Sequence, residues 1–311
     1  MTEPPRPLLS RRGLVLLSGG SVLLAACGGS DRPGTATTSE AVPLRVSAIP
    51  DQDPELLNRL YPALAERLSE ALGSPIVYEP VTDYTAVVRA FEVGDVQLAW
   101  MGGLTGVQAR SRVPGARALV QRDIDADFHS LFIANRRAGL APFTEVAGLR
   151  RLAGHTLTFG SQTSTSGRLM PQYFMGRAGL TEADLSGSPG FSGSHDATIE
   201  AVASGSFEVG AVNEQVWKAT VAAGEVDLGE VVVLFRTPGY VDYHWLARPD
   251  LDASFGAGTT DTVVEFLLGL ARDRPEDATI LDLFGAQRFV RTDNAAYGRI
   301  EQVAREQGLL T

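Results

Sequence analysis

Hydroxyl side chains crowd a short turn near the middle of this sequence. Residues 161–167 read Ser-Gln-Thr-Ser-Thr-Ser-Gly, after a strand-like run at 157–160 and before a helix-like run at 172–175. Such a turn offers free backbone N–H groups, hydroxyl donors and the positive end of a helix dipole, which together suit a small oxyanion. The same residues also suit an ordinary helix N-cap, so the turn alone leaves both interpretations open.

The first third of the chain alternates strand and helix patterns. Strand-like stretches cover residues 44–49, 76–81 and 96–100, and helical patterns cover 54–72 and 83–92. This alternation predicts a parallel sheet with helices on both faces. Ligands bind beyond the carboxyl ends of the strands in such sheets, so we expect a site at that edge.

The alternating pattern starts again after residue 130. Strands are predicted at 129–134, 156–159, 209–212 and 231–235, and a helix is predicted at 196–204. We therefore predict an α/β fold of two lobes, in which lobe 1 comprises 44–130 plus 245–311 and lobe 2 comprises 131–244. Two crossover strands, the second near 243–247, join the lobes as a hinge, and two lobes joined this way close over a ligand. Helical stretches at the end of the chain, predicted at 262–270 and 294–307, would pack on lobe 1.

The N-terminus has the pattern of an export signal. A basic pair precedes an apolar run that is too short for a permanent membrane span, and residues 1–26 are predicted to be a signal peptide. The run ends in Leu24-Ala25-Ala26-Cys27, which resembles the lipobox of bacterial lipoproteins. Cleavage would leave Cys27 as a lipidated N-terminus on a flexible tether, residues 27–43; a buried structural cysteine is the alternative. Ser10-Arg11-Arg12 also resembles, weakly, a twin-arginine signal.

Composition excludes several classes of protein. Hydrophobic residues make up 44% and charged residues 21% of the chain, as in an ordinary globular protein. The net charge of −10 excludes a nucleic-acid binder of the usual basic kind. An acidic protein must bind an anion through local dipoles rather than through its overall field. Cys27 is the only cysteine, so no disulfide is expected.

Five short motifs occur in the order found in one known family. They are Thr82-Asp83-Tyr84, Leu98-Ala99-Trp100-Met101-Gly102-Gly103-Leu104, Ser164-Thr165-Ser166-Gly167, Gly193-Ser194-His195-Asp196-Ala197 and Asn213-Glu214. From about residue 44 to 270 the chain thereby resembles the phosphate, phosphite and phosphonate-binding (PhnD-like) proteins of ABC importers. Residues 121–126 and 237–240 are further similar to a branch labelled selenate-binding. The resemblance implies the two-lobe periplasmic-binding-protein fold, type II-like.

The resemblance also implies roles for residues of the motifs. Ser164, Thr165 and Ser166 would hold the oxyanion through hydroxyls and backbone amides. His195 would donate a hydrogen bond from the start of the next helix, and Tyr84 would reach in from the first lobe. Taken without the family, His195 suits a capped surface or core histidine as well.

Two acidic residues and one methionine bear on ligand identity. Glu214 and Asp242 match positions where the family places carboxylates near the amino or hydroxyl end of the ligand, although a surface position also fits each. Met101 stands where the family has an aromatic residue, which removes a phenol donor. A carboxylate repels an anion unless a proton or ammonium lies between them, so an ionised Glu214 or Asp242 in the site predicts poor binding of selenate and sulfate.

The sequence therefore predicts a solute-binding lipoprotein of an ABC importer, located outside the cytoplasm, that captures a small oxyanion of the phosphonate, phosphite or phosphate class. The expected partners are the permease and ATPase subunits and, through lipid on Cys27, the membrane; a monomer without cofactor and without nucleic acid is expected. A selenium oxyanion is the alternative ligand. A sensory module that presents the ligand to a membrane receptor is an alternative of another class, and neighbouring genes would distinguish the two.

No catalytic arrangement is expected. Ser194, His195 and Asp196 are sequence neighbours and cannot face one another as a triad, and no Gly-x-Ser-x-Gly elbow occurs. The four histidines lack the spacing of metal ligands. We therefore predict a binding protein rather than an enzyme.

Overall fold

A computed structural model of the protein describes residues 42–310. The predicted signal peptide, Cys27 and all but the last two residues of the predicted tether lie outside the described residues. Among those described, no helix is both long enough and apolar enough to cross a membrane.

Six strands form the first sheet, in the order β11-β4-β10-β3-β1-β2. β1, β2 and β3 are parallel, whereas β10 and β11 run antiparallel to their neighbours. The bounds are Leu44–Ala48 for β1, Ile76–Tyr78 for β2, Leu98–Met101 for β3, Arg117–Arg122 for β4, His244–Ala247 for β10 and Phe289–Arg291 for β11.

Five strands form the second sheet, in the order β7-β6-β8-β5-β9. β6 is parallel to β7 and β8, and β5 is antiparallel to β8 and β9. The bounds are Ser130–Asn135 for β5, Leu157–Phe159 for β6, Gly190–Phe191 for β7, Val209–Asn213 for β8 and Val231–Arg236 for β9.

Ten α-helices cover the two sheets within residues 42–310. Their bounds are Pro54–Leu72 for α1, Tyr84–Val93 for α2, Gly103–Arg112 for α3, Met170–Arg177 for α4, His195–Ala203 for α5, Glu214–Ala223 for α6, Leu251–Phe255 for α7, Thr259–Leu268 for α8, Pro275–Leu283 for α9 and Gly298–Glu306 for α10.

Local sequence explains the boundaries of α1. The Asp53 side chain accepts hydrogen bonds from the N–H groups of Glu55 and Leu56, and Pro54 occupies the first turn, where its missing N–H costs nothing. The helix ends at Gly73, whose φ of 64° suits a residue without a Cβ. The predicted helix at 54–72 is therefore confirmed.

Two chain segments link the sheets, residues 123–129 on the way out and 237–243 on the way back. They pair at one antiparallel bridge, where the N–H of Phe128 donates to Tyr240 O at 2.7 Å and the N–H of Tyr240 donates to Phe128 O at 3.0 Å. The N–H of Asp242 also donates to Asp125 O at 3.0 Å. The two links therefore run side by side.

The predicted α/β architecture is confirmed, but several of its elements were not predicted. The unpredicted strands are β4, β7 and β11, and the unpredicted helices are α3, α6, α7 and α9. The predicted C-terminal helix at 294–307 is wrong in its first turn, because residues 294–297 form a 3₁₀ turn before α10 begins at Gly298.

Candidate oxyanion site

The hydroxyl-rich turn is a helix start, as its sequence predicted. A π-helical turn at Thr165–Leu169 leads into α4, and the Ser164 hydroxyl oxygen accepts a hydrogen bond from the N–H of Gly167 at 2.9 Å. Ser164 is thus the N-cap, and its own hydroxyl hydrogen stays available for donation. A Cβ at Gly167 would lie 2.9 Å from Ser164 Oγ and 3.1 Å from His195 Cε1, so only glycine lets the turn approach the histidine.

His195 begins α5 and is fully buried. Its Nδ1 accepts a hydrogen bond from the N–H of Asn213 at 3.3 Å, so the ring hydrogen belongs on Nε2. Nε2 lies 3.5 Å from both Ser166 Oγ and the Tyr243 hydroxyl. Burial lowers the pKa of His195 to about 3. The imidazole therefore acts near neutral pH as an uncharged donor.

Thr165 contacts the other half of the molecule. Its hydroxyl oxygen accepts a hydrogen bond from the N–H of Leu104, in the first turn of α3, at 2.9 Å. The neighbouring N–H of Gly103 donates to Asp242 Oδ1 at 2.9 Å. A Cβ at Gly102 would lie 3.1 Å from Thr165 Oγ1 and 3.3 Å from Asp242 Oδ1. Gly102 thus lets the start of α3 approach both the second half and the return link, residues 237–243.

Two buried polar atoms near this contact have no hydrogen-bond partner among the described residues. They are the Tyr84 hydroxyl and Asp242 Oδ2, on side chains that belong to residues at most 2% exposed. Leaving such a group unpaired costs roughly 1–3 kcal/mol, so each calls for an explanation. Burial raises the pKa of Asp242 to about 7, against the opposing effect of the Gly103 N–H. Burial, and then the charge of Asp51, raises the pKa of Tyr84 well above its usual value.

The Glu214 carboxylate contacts cationic side chains rather than the unpaired atoms of Tyr84 and Asp242. Its carboxylate accepts hydrogen bonds from Arg236 at 2.9 and 3.0 Å and lies 3.1 Å from Lys218 Nζ. Burial opposes ionisation, but the hydrogen bonds from Arg236 and Lys218 outweigh it and lower the pKa of Glu214. Met101 ends β3, is fully buried, and pairs in register with His244. Ligand contacts of Glu214 and Met101 stay predictions.

Two site residues were missed by sequence reasoning. Asp51 follows β1, and its backbone oxygen accepts a hydrogen bond from the N–H of His195 at 3.2 Å. Burial raises the pKa of Asp51 to about 6, although the Tyr243 hydroxyl and then Arg122 act against it. The Tyr243 hydroxyl accepts a hydrogen bond from Asn213 Nδ2 at 2.9 Å. The carboxyl end of β1 was a signal for Asp51, but no sequence signal marked Tyr243.

A buried ion pair supports the Tyr243 ring from behind. The Arg122 guanidinium lies 4.6 Å from the ring centroid of Tyr243 and donates hydrogen bonds to Asp125 at 2.6 and 2.8 Å. Trp100 stacks on the same ring at 5.7 Å. These contacts hold the phenol at the first sheet while its hydroxyl reaches Asn213 of the second. Within residues 42–310, no group of three or more acidic, histidine or cysteine side chains could hold a metal ion.

Two linked α/β halves, with helix starts and buried hydroxyls gathered between them, define a solute-binding protein of the two-lobe class. The family model for periplasmic substrate-binding proteins of phosphonate ABC transporters matches residues 46–297. The chain belongs to this family, as its motifs predicted.

Relatives in other organisms support the family assignment. The chain is 41% identical over 264 residues, 85% of its length and 89% of the relative, to the "Probable ABC transporter phosphite binding protein PhnD1" of Prochlorococcus marinus. It is 29% identical over 230 residues, 70% of each chain, to the "Phosphate-import protein PhnD" of Mycolicibacterium smegmatis. The solved structure of the Prochlorococcus protein in complex with methylphosphonate superposes with a TM-score of 0.84 at 40% identity, covering 86% of this chain and 98% of that one.

Proposed function

We propose that this protein captures a small tetrahedral phosphorus oxyanion carrying one proton, such as phosphite, methylphosphonate or phosphate, and delivers it to an ABC permease. One observation carries the proposal: the Tyr84 hydroxyl and Asp242 Oδ2 are buried polar atoms without partners beside three helix starts. A hydroxyl can donate to a bare ligand oxygen. A carboxylate needs a donor, which a P–OH group supplies.

The described residues offer enough donors for such an anion. The Ser164 and Ser166 hydroxyls, the Tyr84 hydroxyl and His195 Nε2 supply side-chain hydrogens, and the starts of α5 and of the π-helical turn add backbone N–H groups. Micromolar affinity requires about 8 kcal/mol. Each charge-assisted hydrogen bond contributes on the order of 1.5–3 kcal/mol, so several must act together. Thr165 contributes differently, because its hydroxyl oxygen accepts from Leu104 and joins the two halves.

The relatives agree with this ligand class. The 41% identical relative is named for phosphite, and its solved structure holds methylphosphonate. Both ligands are small and keep an oxygen that can be protonated near neutral pH, as phosphate esters do with a second pKa of about 6. Sulfate and selenate have no such proton, so the ionised form of Asp242, which prevails above its raised pKa of about 7, would repel them.

Calorimetry with the purified protein tests the proposal. Phosphite, methylphosphonate and phosphate should bind, and sulfate and selenate should bind at least tenfold more weakly. Tyr84→Phe should lower the affinity about tenfold and change the stability of the ligand-free protein little, since the hydroxyl that it removes makes only a weak contact, with Ser164. Tyr240→Phe is the matched control, because that hydroxyl is bonded to Ser130 at 2.5 Å and lies in the linking segments. Selenate binding more tightly than phosphite, or no binding of any oxyanion, contradicts the proposal.

We also propose that the protein is anchored by lipid on Cys27 and acts as a monomer. The support for the anchor is the lipobox-like sequence before Cys27 and the tether after it. Mass spectrometry of the protein from membranes should find a diacylglyceryl group on Cys27, and Cys27→Ala should release the protein from the membrane fraction. Light scattering of the released form should give the mass of one chain; a dimer would contradict the monomer proposal.

A further inference from the structure

We infer that Asn213 is a positioning residue that sets the hydrogen-bond direction of both His195 and Tyr243, so that each presents a hydrogen to the bound anion. This inference rests on the proposed oxyanion function. Asn213 ends β8, is 1% exposed and contacts both groups. A residue that orients two donors at once controls which ligand atoms can bind to the wall of the site formed by His195 and Tyr243.

The orientation of the Asn213 amide is fixed by helix α6. Its Oδ1 accepts hydrogen bonds from the N–H groups of Gln215 at 2.6 Å and Val216 at 3.1 Å, as the N-cap of that helix. The other end of the amide must therefore be the NH₂ group. It is this end that lies 2.9 Å from the Tyr243 hydroxyl, so Asn213 donates and the phenol oxygen accepts.

The Tyr243 hydroxyl consequently has its own hydrogen left to donate elsewhere. A phenol carries one hydrogen, and with the amide donating to its oxygen that hydrogen turns away from Asn213. The neighbours on that side are the Asp51 carboxyl, whose pKa is lowered by a hydrogen bond from the phenol, and the space beside His195; an anion in that space would take this hydrogen in place of Asp51. Without the amide, the phenol hydrogen could rotate toward α6 instead.

The backbone of Asn213 likewise fixes His195 as a hydrogen-bond donor. Its N–H donates to Nδ1 at 3.3 Å, so the imidazole keeps its hydrogen on Nε2, which faces Ser166 and Tyr243. One residue thus turns two neighbouring groups into donors. The wall formed by His195 and Tyr243 suits a bare anionic oxygen, and the ligand's protonated oxygen is left for Asp242, on the return link.

Asn213→Ser tests the side-chain half of this inference. Serine keeps the N-cap of α6 but lacks the donor to Tyr243. We expect the affinity for phosphite to fall about tenfold, as for the loss of one donor to an anion. Asn135→Ser is the matched control, since Asn135 caps the turn at Arg136–Ala138 in the same half and contacts none of the site residues named above. Equal phosphite affinities for the two variants would overturn the inference.

A double-mutant cycle separates positioning from a purely structural role. If Asn213 acts through the phenol, Asn213→Ser should have no further effect on phosphite affinity in a Tyr243→Phe background, whereas a full additional tenfold loss there overturns the inference.

Nitrogen-15 NMR of the unmodified protein tests the backbone half and needs no variant to fold. Nε2–H is expected for His195, and Nδ1–H would overturn the inference. Failure of the unmodified protein to bind any oxyanion would instead refute the proposed function.

Discussion

The backbone N–H of Leu104 donates a hydrogen bond to Thr165 Oγ1 at 2.9 Å, and this bond joins the half built on the first sheet to the half built on the second. Both residues are buried, so water does not compete for the donor. The structure therefore shows the halves in contact at the helix starts that surround the candidate site. A hydroxyl that the family resemblance places on the ligand serves here to hold the halves together.

Thr165→Val should weaken ligand binding by removing this contact. Valine has nearly the same shape but cannot accept from Leu104, and an unpaired buried N–H costs roughly 1–3 kcal/mol. We expect the dissociation constant for phosphite to rise about tenfold or more in calorimetry. Thr165→Ser keeps the acceptor and should stay within a few-fold of the unmodified protein. Equal affinities of the valine and serine variants would show that the bond to Leu104 does not matter.

Asp242 should make the stability of the ligand-free protein depend on pH. Burial raises its pKa to about 7 in the folded state, against about 3.9 in an unfolded chain. The folded state therefore holds an extra proton between about pH 4 and 7, and its free energy of unfolding falls as the pH rises through this window. Asp242→Asn cannot titrate. In urea denaturation, the free energy of unfolding of Asp242→Asn minus that of the unmodified protein should increase between pH 4 and pH 8, by on the order of a few kcal/mol. A constant difference would contradict the raised pKa.

Gly106→Ala should destabilise the fold, because the position has no room for a methyl group. A Cβ there would clash with the buried ring of His244, which is itself held against Tyr297 at 4.1 Å between ring centroids. Overpacking of this kind costs about 1–3 kcal/mol. Gly176→Ala is the control in another helix, where a Cβ meets nothing within 4 Å, and it should be neutral or stabilising by up to about 1 kcal/mol. Thermal unfolding of both variants measures the contrast.

Arg299→Ala should weaken ligand binding from a distance. Arg299, in α10, donates to the Tyr173 hydroxyl in α4 at 2.6 Å, and the contact joins the two halves away from the oxyanion site. Since the residues are partly exposed, the effect should be small, about two- to fivefold in affinity. Arg177→Ala is the matched control, because Arg177 donates to the same hydroxyl at 2.8 Å but belongs to the same helix as Tyr173. An equal loss in both variants would assign the effect to Tyr173 itself.

Much of the site was visible in the sequence where the signal is local. The cap at Ser164 and the glycine at 167 depend on neighbours within three residues, and the start of α5 at His195 depends on the Ser194 side chain, which accepts from Ala197. The resemblance to the family added the ligand class. Short spacing along the chain fixes such contacts, so a reader of the sequence can recover them.

The sequence did not reveal that three residues of the site meet, namely Asp51, Asn213 and Tyr243. They stand far apart along the chain and meet only because the return link brings β10 back between β3 and β4. Glu214 shows the reverse: the family resemblance implied a carboxylate near the ligand, but in this structure the side chain, in the first turn of α6, contacts Arg236 and Lys218.

By itself, the sequence determined the α/β class, the family, the helix caps and the hydroxyl turn, because each depends on hydrophobic periodicity or on side chains a few residues apart. Only the tertiary structure decided that Thr165 bridges the halves, that the Tyr84 hydroxyl and Asp242 Oδ2 are buried without partners, and that Asn213 directs two donors. The reason is physical. Burial and hydrogen-bond direction arise where distant segments pack together, and no local pattern encodes which groups will meet there.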